Sequence, residues 1–86
     1  MILISTKPFE KKVAKLDKKI KLALADRLEL FVTNPFHPLL DNHALKGDRK
    51  PQRSIDITGN YHLIFEVLES NSVRLLDIDT HTNLYG

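Results

Sequence analysis

Apolar residues change their spacing halfway along this chain, and that change limits what it can fold into. Phe9, Val13, Leu16, Ile20, Leu24, Leu28 and Phe31 recur every three or four residues. That period places them on one helical face, with lysines opposite. After Pro51 the pattern becomes β-like over Arg53 to Thr58, Tyr61 to Leu68 and Ser72 to Thr80, with turns at Gly59-Asn60 and Glu69-Ser-Asn71. Ile55 and Ile57 alternate with Ser54, Asp56 and Thr58, as in a strand with one wet face. Leu63-Ile-Phe65 is apolar on both faces, which predicts a central strand.

The punctuation fits this division. Met1 to Thr6 reads as a first strand, and Ser5-Thr6 offers a helix cap before Pro8, a residue tolerated in a first turn. Asp17 is placed to cap a second helix, so two helices broken near Leu16-Asp17 are expected. The helical pattern ends at Asn34-Pro35, because proline disfavours helical geometry in the residue before it. Pro35 to Pro51 reads as a connecting segment with a short helical turn at His37 to Leu40. The expected fold is α+β: one domain over residues 1–86, in the order β-α-α-β-β-β. A small antiparallel sheet would carry a helical pair on one face, and the first strand would join it. A single core in 86 residues supplies roughly 3–5 kcal/mol of net stability, so a binding partner would add usefully to it.

Composition narrows the chemistry. The chain has no cysteine, which excludes disulfides and thiolate metal sites and suits a reducing compartment. Met1 to Ile4 is too short for a signal-peptide core, and no apolar run approaches the roughly 18 residues of a membrane span, so a soluble cytoplasmic protein is expected. Net charge is only +2, yet seven lysines lie between Lys7 and Lys21 against two acids, Glu10 and Asp17. Such a block suits nucleic-acid phosphates or an acidic protein partner, and it equally suits a plain solvated helix face.

Residues with catalytic capacity gather in the second half: His43, Lys46, Lys50, Arg53, Asp56, Tyr61, Asp77, His81 and Tyr85. The ends of the strands and the preceding loop are expected to bring them to one side of the sheet. Imidazoles, cations and phenols without a serine elbow fit phosphodiester chemistry better than acyl transfer. RNA is cleaved without metal when a base takes the 2′-hydroxyl proton, an acid protonates the leaving oxygen and cations hold the phosphoryl charge. His37, His43, His62 and His81 lack the spacing of a zinc site, so no metal or other cofactor is expected. His62, inside a strand beside Tyr61, reads as a surface residue or a cross-strand partner. Tyr61 and Tyr85 offer faces on which bases stack, although Tyr61 fits a sheet surface as well.

Taken together, Asn42-His-Ala-Leu-Lys-Gly47, Lys50-Pro-Gln-Arg53, Tyr61-His-Leu-Ile-Phe65 and Thr80-His-Thr-Asn-Leu-Tyr85 resemble the RelE superfamily of bacterial toxins, and its YafQ-like branch most closely. The resemblance implies a RelE-like fold and a type II toxin, partnered by a cognate antitoxin, that enters the ribosome and cuts messenger RNA without metal. It implies catalytic roles for His43, His81, Tyr85 and Arg53, with Tyr61 in an aromatic position and Lys46 and Lys50 facing RNA. Three residues depart from the pattern. Asp56 stands where the branch commonly has another histidine, Asp77 where it has a catalytic arginine, and Asp79 where it has a glycine. A carboxylate at Asp56 can serve as a general base, whereas one at Asp77 repels phosphoryl charge. Two alternatives follow: a silent toxin-fold protein that acts through antitoxin binding, and a ParE-type gyrase poison.

Overall fold

The computed structural model describes residues 1–69 and 71–85, so Ser70 of the expected Glu69-Ser-Asn71 turn and Gly86 lie outside the described residues. Strand β1 (Ile2–Ser5) leads into α1 (Lys7–Lys15) and α2 (Lys18–Thr33). The Thr6 hydroxyl caps α1 by accepting the Phe9 N–H, and it donates to the Leu75 carbonyl at 2.9 Å, which ties the helix start to a strand. The Asp17 carboxylate caps α2 by accepting the Ile20 N–H at 2.9 Å. Helix α2 stops at Thr33, two residues before Pro35.

Four further strands follow: β2 (His43–Ala44), β3 (Arg53–Asp56), β4 (Tyr61–Leu68) and β5 (Ser72–Thr80), in the sheet order β1-β5-β4-β3-β2. Three details differ from the sequence expectation. The sheet is mixed, because β1 runs parallel to β5 with Ile2 opposite Ser72; the intervening helices and strands supply the long crossover that parallel pairing requires. His43 and Ala44, within the expected connecting segment, form a fifth strand by pairing with Ser54 and Arg53. Strand β3 ends at Asp56, not Thr58, because the N–H groups of Ile57 and Thr58 turn to the Tyr61 carbonyl, at 2.9 and 3.2 Å.

Two apolar clusters divide the sheet faces. Phe9, Leu24 and Phe31 of the helices pack on Ile55, Ile57, Leu63, Phe65, Val73, Leu75 and Ile78. The Phe31 and Phe65 rings meet edge to face at 4.9 Å. The opposite face holds a smaller cluster of Leu45, Ile64, Leu76 and Leu84. Leu75 and Ile78 share the helix-side core although three residues apart, which strict alternation forbids. A bulge resolves this: Phe65 pairs with Leu75 and Ile64 with Asp77, leaving Leu76 as an extra residue in β5. No helix among the described residues is long and apolar enough to cross a membrane.

Candidate functional site

The chain after β5 folds into a five-residue helix, α3 (His81–Tyr85), beyond the last element expected from the sequence. Thr80 Oγ1 accepts the Asn83 N–H at 3.3 Å, and Asp79 Oδ1 accepts the Thr80 N–H and the Asn83 amide, each at 2.8 Å. The His81 N–H bonds the Asn60 carbonyl at 3.0 Å, so the helix start is fastened to the β3–β4 turn. Leu84 is buried against the sheet, which leaves His81 and Tyr85 on the exposed side of α3.

That placement builds a cavity of about 400 Å³ on the face away from α1 and α2, lined by Asp41, His43, Leu45, Asp56, His62, His81 and Tyr85. The His81 and Tyr85 rings lie 4.8 Å apart, and the His62 ring lies 5.6 Å from His81 and 6.4 Å from Tyr85. His62 Nδ1 is 2.9 Å from Asp56 Oδ1 across the β3–β4 pairing, with the imidazole side chain 13% exposed. His43, on β2, is more open; its Nδ1 lies 2.7 Å from the Asp41 carbonyl oxygen. Asp41 takes a left-handed conformation, with φ at 45°, that short polar residues tolerate.

Of the residues singled out in the sequence, His43, Asp56, His81 and Tyr85 therefore share one cavity. Arg53 and Tyr61 do not line it, because alternation puts them on the helix side. Arg53 Nε donates to Asn42 Oδ1 at 2.9 Å, and its guanidinium lies 5.7 Å from the Phe36 ring beside a separate apolar cavity that includes Phe31 and Phe65. Tyr61 packs at the margin of the helix-side core, near Lys12, Lys15 and Asp79. Lys46 and Lys50 are exposed and flank the short 3-10 helix Gly47–Arg49.

Two further residues join the site. His62, expected as a surface residue or a cross-strand partner, is a cross-strand partner: a hairpin centred on Gly59 pairs it with Asp56 and gives both the same face. Arg49 donates to the Leu84 carbonyl at 2.6 Å and stands 5.5 Å over the Tyr85 ring, bringing a cation to α3. No sequence signal points to Arg49, since a loop brings it there.

Asp77 and Asp79 are drawn away from this chemistry. Beyond Leu75, β1 no longer pairs with β5, and Lys12 of α1 reaches this stretch to form ion pairs with Asp77 at 2.8 Å and Asp79 at 2.9 Å. These carboxylates, Asp77 foremost, raise the Lys12 pKa above its ordinary value. The Asn83 amide, followed by Lys12, holds the Asp79 carboxyl below the usual range. Among the described residues no group of three or more His, Asp or Glu side chains is arranged to hold a metal ion.

No family model and no curated protein sequence matches the chain. Its backbone does match solved structures, and the likeness shows a fold shared with the YafQ and YoeB/ParE toxins. YafQ from E. coli strain BL21(DE3) matches at a TM-score of 0.82 with 20% identity, covering 98% of this chain and 97% of that one. The YoeB/ParE toxin from Agrobacterium tumefaciens gives 0.79 at 21% identity over 94% and 99% of the two chains. A chain of the E. coli DinJ-YafQ toxin-antitoxin complex gives 0.79 at 20% identity over 98% and 96%.

Proposed function

We propose that this chain is the toxin of a type II toxin–antitoxin pair and acts as an endoribonuclease on messenger RNA held by the ribosome. The observation that carries the reading is the gathering of three imidazoles and a phenol, His43, His62, His81 and Tyr85, around one open cavity on a YafQ-like fold. About 400 Å³ lies within the range of small-ligand cavities. The 2′-hydroxyl gives its proton to one imidazole while its oxygen forms a bond to the adjacent phosphorus. The P–O5′ bond breaks, and the leaving 5′-oxygen takes a proton from a second imidazole. The products are a 2′,3′-cyclic phosphate and a 5′-hydroxyl, and no metal enters the balance.

His81 is one of the proton-transfer pair, and His43 stands at the open rim. Tyr85 orients the target nucleotide by stacking, and Arg49 beside it supplies positive charge near the phosphate. Lys46 and Lys50 face ribosomal RNA. Arg53, bonded to Asn42, acts on the approach of β2 to the site instead of on the phosphate. The cognate antitoxin is a protein with an acidic or amphipathic segment; the DinJ-YafQ complex is a precedent for a protein partner on this fold.

The test is cleavage of a defined message on programmed ribosomes. Intact message, at concentrations where wild-type protein binds the ribosome, would refute the nuclease reading. DNA breaks with intact message would point to gyrase instead. Normal growth after expression without antitoxin, together with a tight antitoxin complex, would point to a silent binding protein.

A further inference from the structure

We infer that His62 is the general base of this site and that Asp56, instead of acting as a base itself, positions it. This role rests on the nuclease reading above.

The geometry determines which nitrogen is available. Asp56 and His62 face each other across the β3–β4 pairing, and Asp56 Oδ1 lies 2.9 Å from Nδ1 of His62. An ionised carboxylate only accepts hydrogen bonds, so the ring hydrogen sits on Nδ1 and the lone pair on Nε2. Imidazole Nε2 is therefore the nitrogen able to receive a proton. His62 lines the cavity together with His81 and Tyr85, and its ring is packed on both. A ring that is 13% exposed and held at one edge by a carboxylate has few orientations, which is what a proton acceptor in a defined geometry needs.

The two other histidines of the cavity differ from it. His43 leans its Nδ1 on a neutral backbone carbonyl and is far more open. His81 is exposed on α3. A carboxylate partner stabilises the imidazolium that forms once the proton arrives more strongly than a carbonyl does; the Asp41 carboxylate lies 3.8 Å from His43 Nδ1, whereas Asp56 is within hydrogen-bond distance of His62. In the step, the 2′-hydroxyl proton passes to His62 Nε2 as the 2′-oxygen bonds to phosphorus. The P–O5′ bond then breaks and the 5′-oxygen receives its proton from the imidazolium of His81. When His62 returns its proton to water and His81 takes one up, the site is reset.

The test compares single-turnover cleavage on ribosomes by wild-type, His62→Gln, Asp56→Asn and the double variant, with ribosome binding measured alongside. His62→Gln should lose about 10²–10⁴-fold in rate with binding unchanged. Asp56→Asn should lose about tenfold or more, and the double variant should be no slower than His62→Gln alone, because Asp56 acts through the ring. Imidazole nitrogen NMR of the free wild-type protein should show His62 as the Nδ1–H form with Nε2 unprotonated, and Asp56→Asn should let the Nε2–H form appear. A purely structural carboxylate would not move that signature. If His62→Gln cleaves at the wild-type rate while His81→Gln does not, this role falls and the nuclease reading stands. A wild-type His62 protonated on Nε2 in its neutral form also overturns it, even where a variant fails to fold. Intact message with wild-type protein removes both.

Discussion

Replacing Leu84 with alanine separates the docking of α3 from the stability of the domain. A five-residue helix has no stability of its own, since isolated helices below about 12–15 residues are marginal in water. Leu84, 7% exposed, is its apolar anchor among Leu45, Ile64 and Leu76, on the face opposite the main core. Truncating a buried leucine costs about 2–5 kcal/mol. The small four-residue cluster at the sheet surface favours the lower end, about 2 kcal/mol. Because the helix-side core is untouched, the cheapest response is local. The undocked population of α3 should rise about 30-fold, the factor that corresponds to 2 kcal/mol. Hydrogen exchange by NMR reads this directly: the His81 and Asn83 amides, bonded to Asn60 and Thr80, should exchange about 30-fold faster. Amides of Leu63 and Phe65 in β4 should keep their rates. On the nuclease reading proposed above, cleavage should fall with the docked fraction, since His81 and Tyr85 ride on this helix. Equal acceleration of the α3 and β4 amides would refute the reasoning, because α3 would then open only with the whole domain.

Two further outcomes test the surrounding structure. Lys12→Met removes both ion pairs to β5; the groups are partly exposed, so the loss should be about 1 kcal/mol, read as a Tm drop of about 4–8 °C that shrinks in 1 M salt. Asp79 is held below its ordinary value of 3.8, so its contribution is complete above that pH and is lost as pH falls through the lowered value. The Asn83 amide and Lys12 both hold it down, so Asn83→Ala and Lys12→Met should each flatten the acid limb of the stability profile; an acid limb unchanged in both variants would contradict the assignment. Lys12, raised above 10.5, contributes fully below that pH and loses its contribution as pH climbs through the raised value. Ser54 is fully buried and its hydroxyl has no hydrogen-bond partner among the described residues, so Ser54→Ala should be neutral or stabilising by up to about 1 kcal/mol in urea unfolding. A clear destabilisation would show that the hydroxyl is satisfied.

Much of this architecture was legible in the chain because local chemistry decides it. Asp17 capped the helix it was expected to cap, proline ended α2, and the helical stripe from Phe9 to Phe31 packs on the sheet. What escaped was non-local. The parallel partner of β1 lies about 70 residues away and has no local signature. The two-residue strand β2 is too short to show a period. Helix α3 depends on Leu84 finding the sheet and on the Thr80 cap, not on propensity. The cavity was half legible: His43, Asp56, His81 and Tyr85 were singled out together, while Tyr61 and Arg53 fell on the other face by alternation. His62 was recoverable, since counting outward from Gly59 pairs it with Asp56.

The aspartates that depart from the toxin pattern have partners, and the partners change their electrostatic meaning. Asp77 and Asp79 share Lys12, and Asp79 also accepts from Asn83, so their charge is spent on fastening α1 and α3 to β5. Asp56 is engaged by His62. The repulsion that three free carboxylates would exert on a phosphate is thereby offset. Lys12 is the one half-buried lysine of the seven between Lys7 and Lys21; the other six are exposed on α1 and α2, across the sheet from the histidine cavity. On the proposed reading, an acidic partner bound to those lysines alone leaves the cavity open and silences the protein by denying it the ribosomal RNA phosphates. A partner that also blocks the chemistry has to pass a sheet edge and reach α3. The two modes differ in salt dependence. Raising ionic strength should release the first kind of complex, while the second retains affinity through the apolar surface it buries.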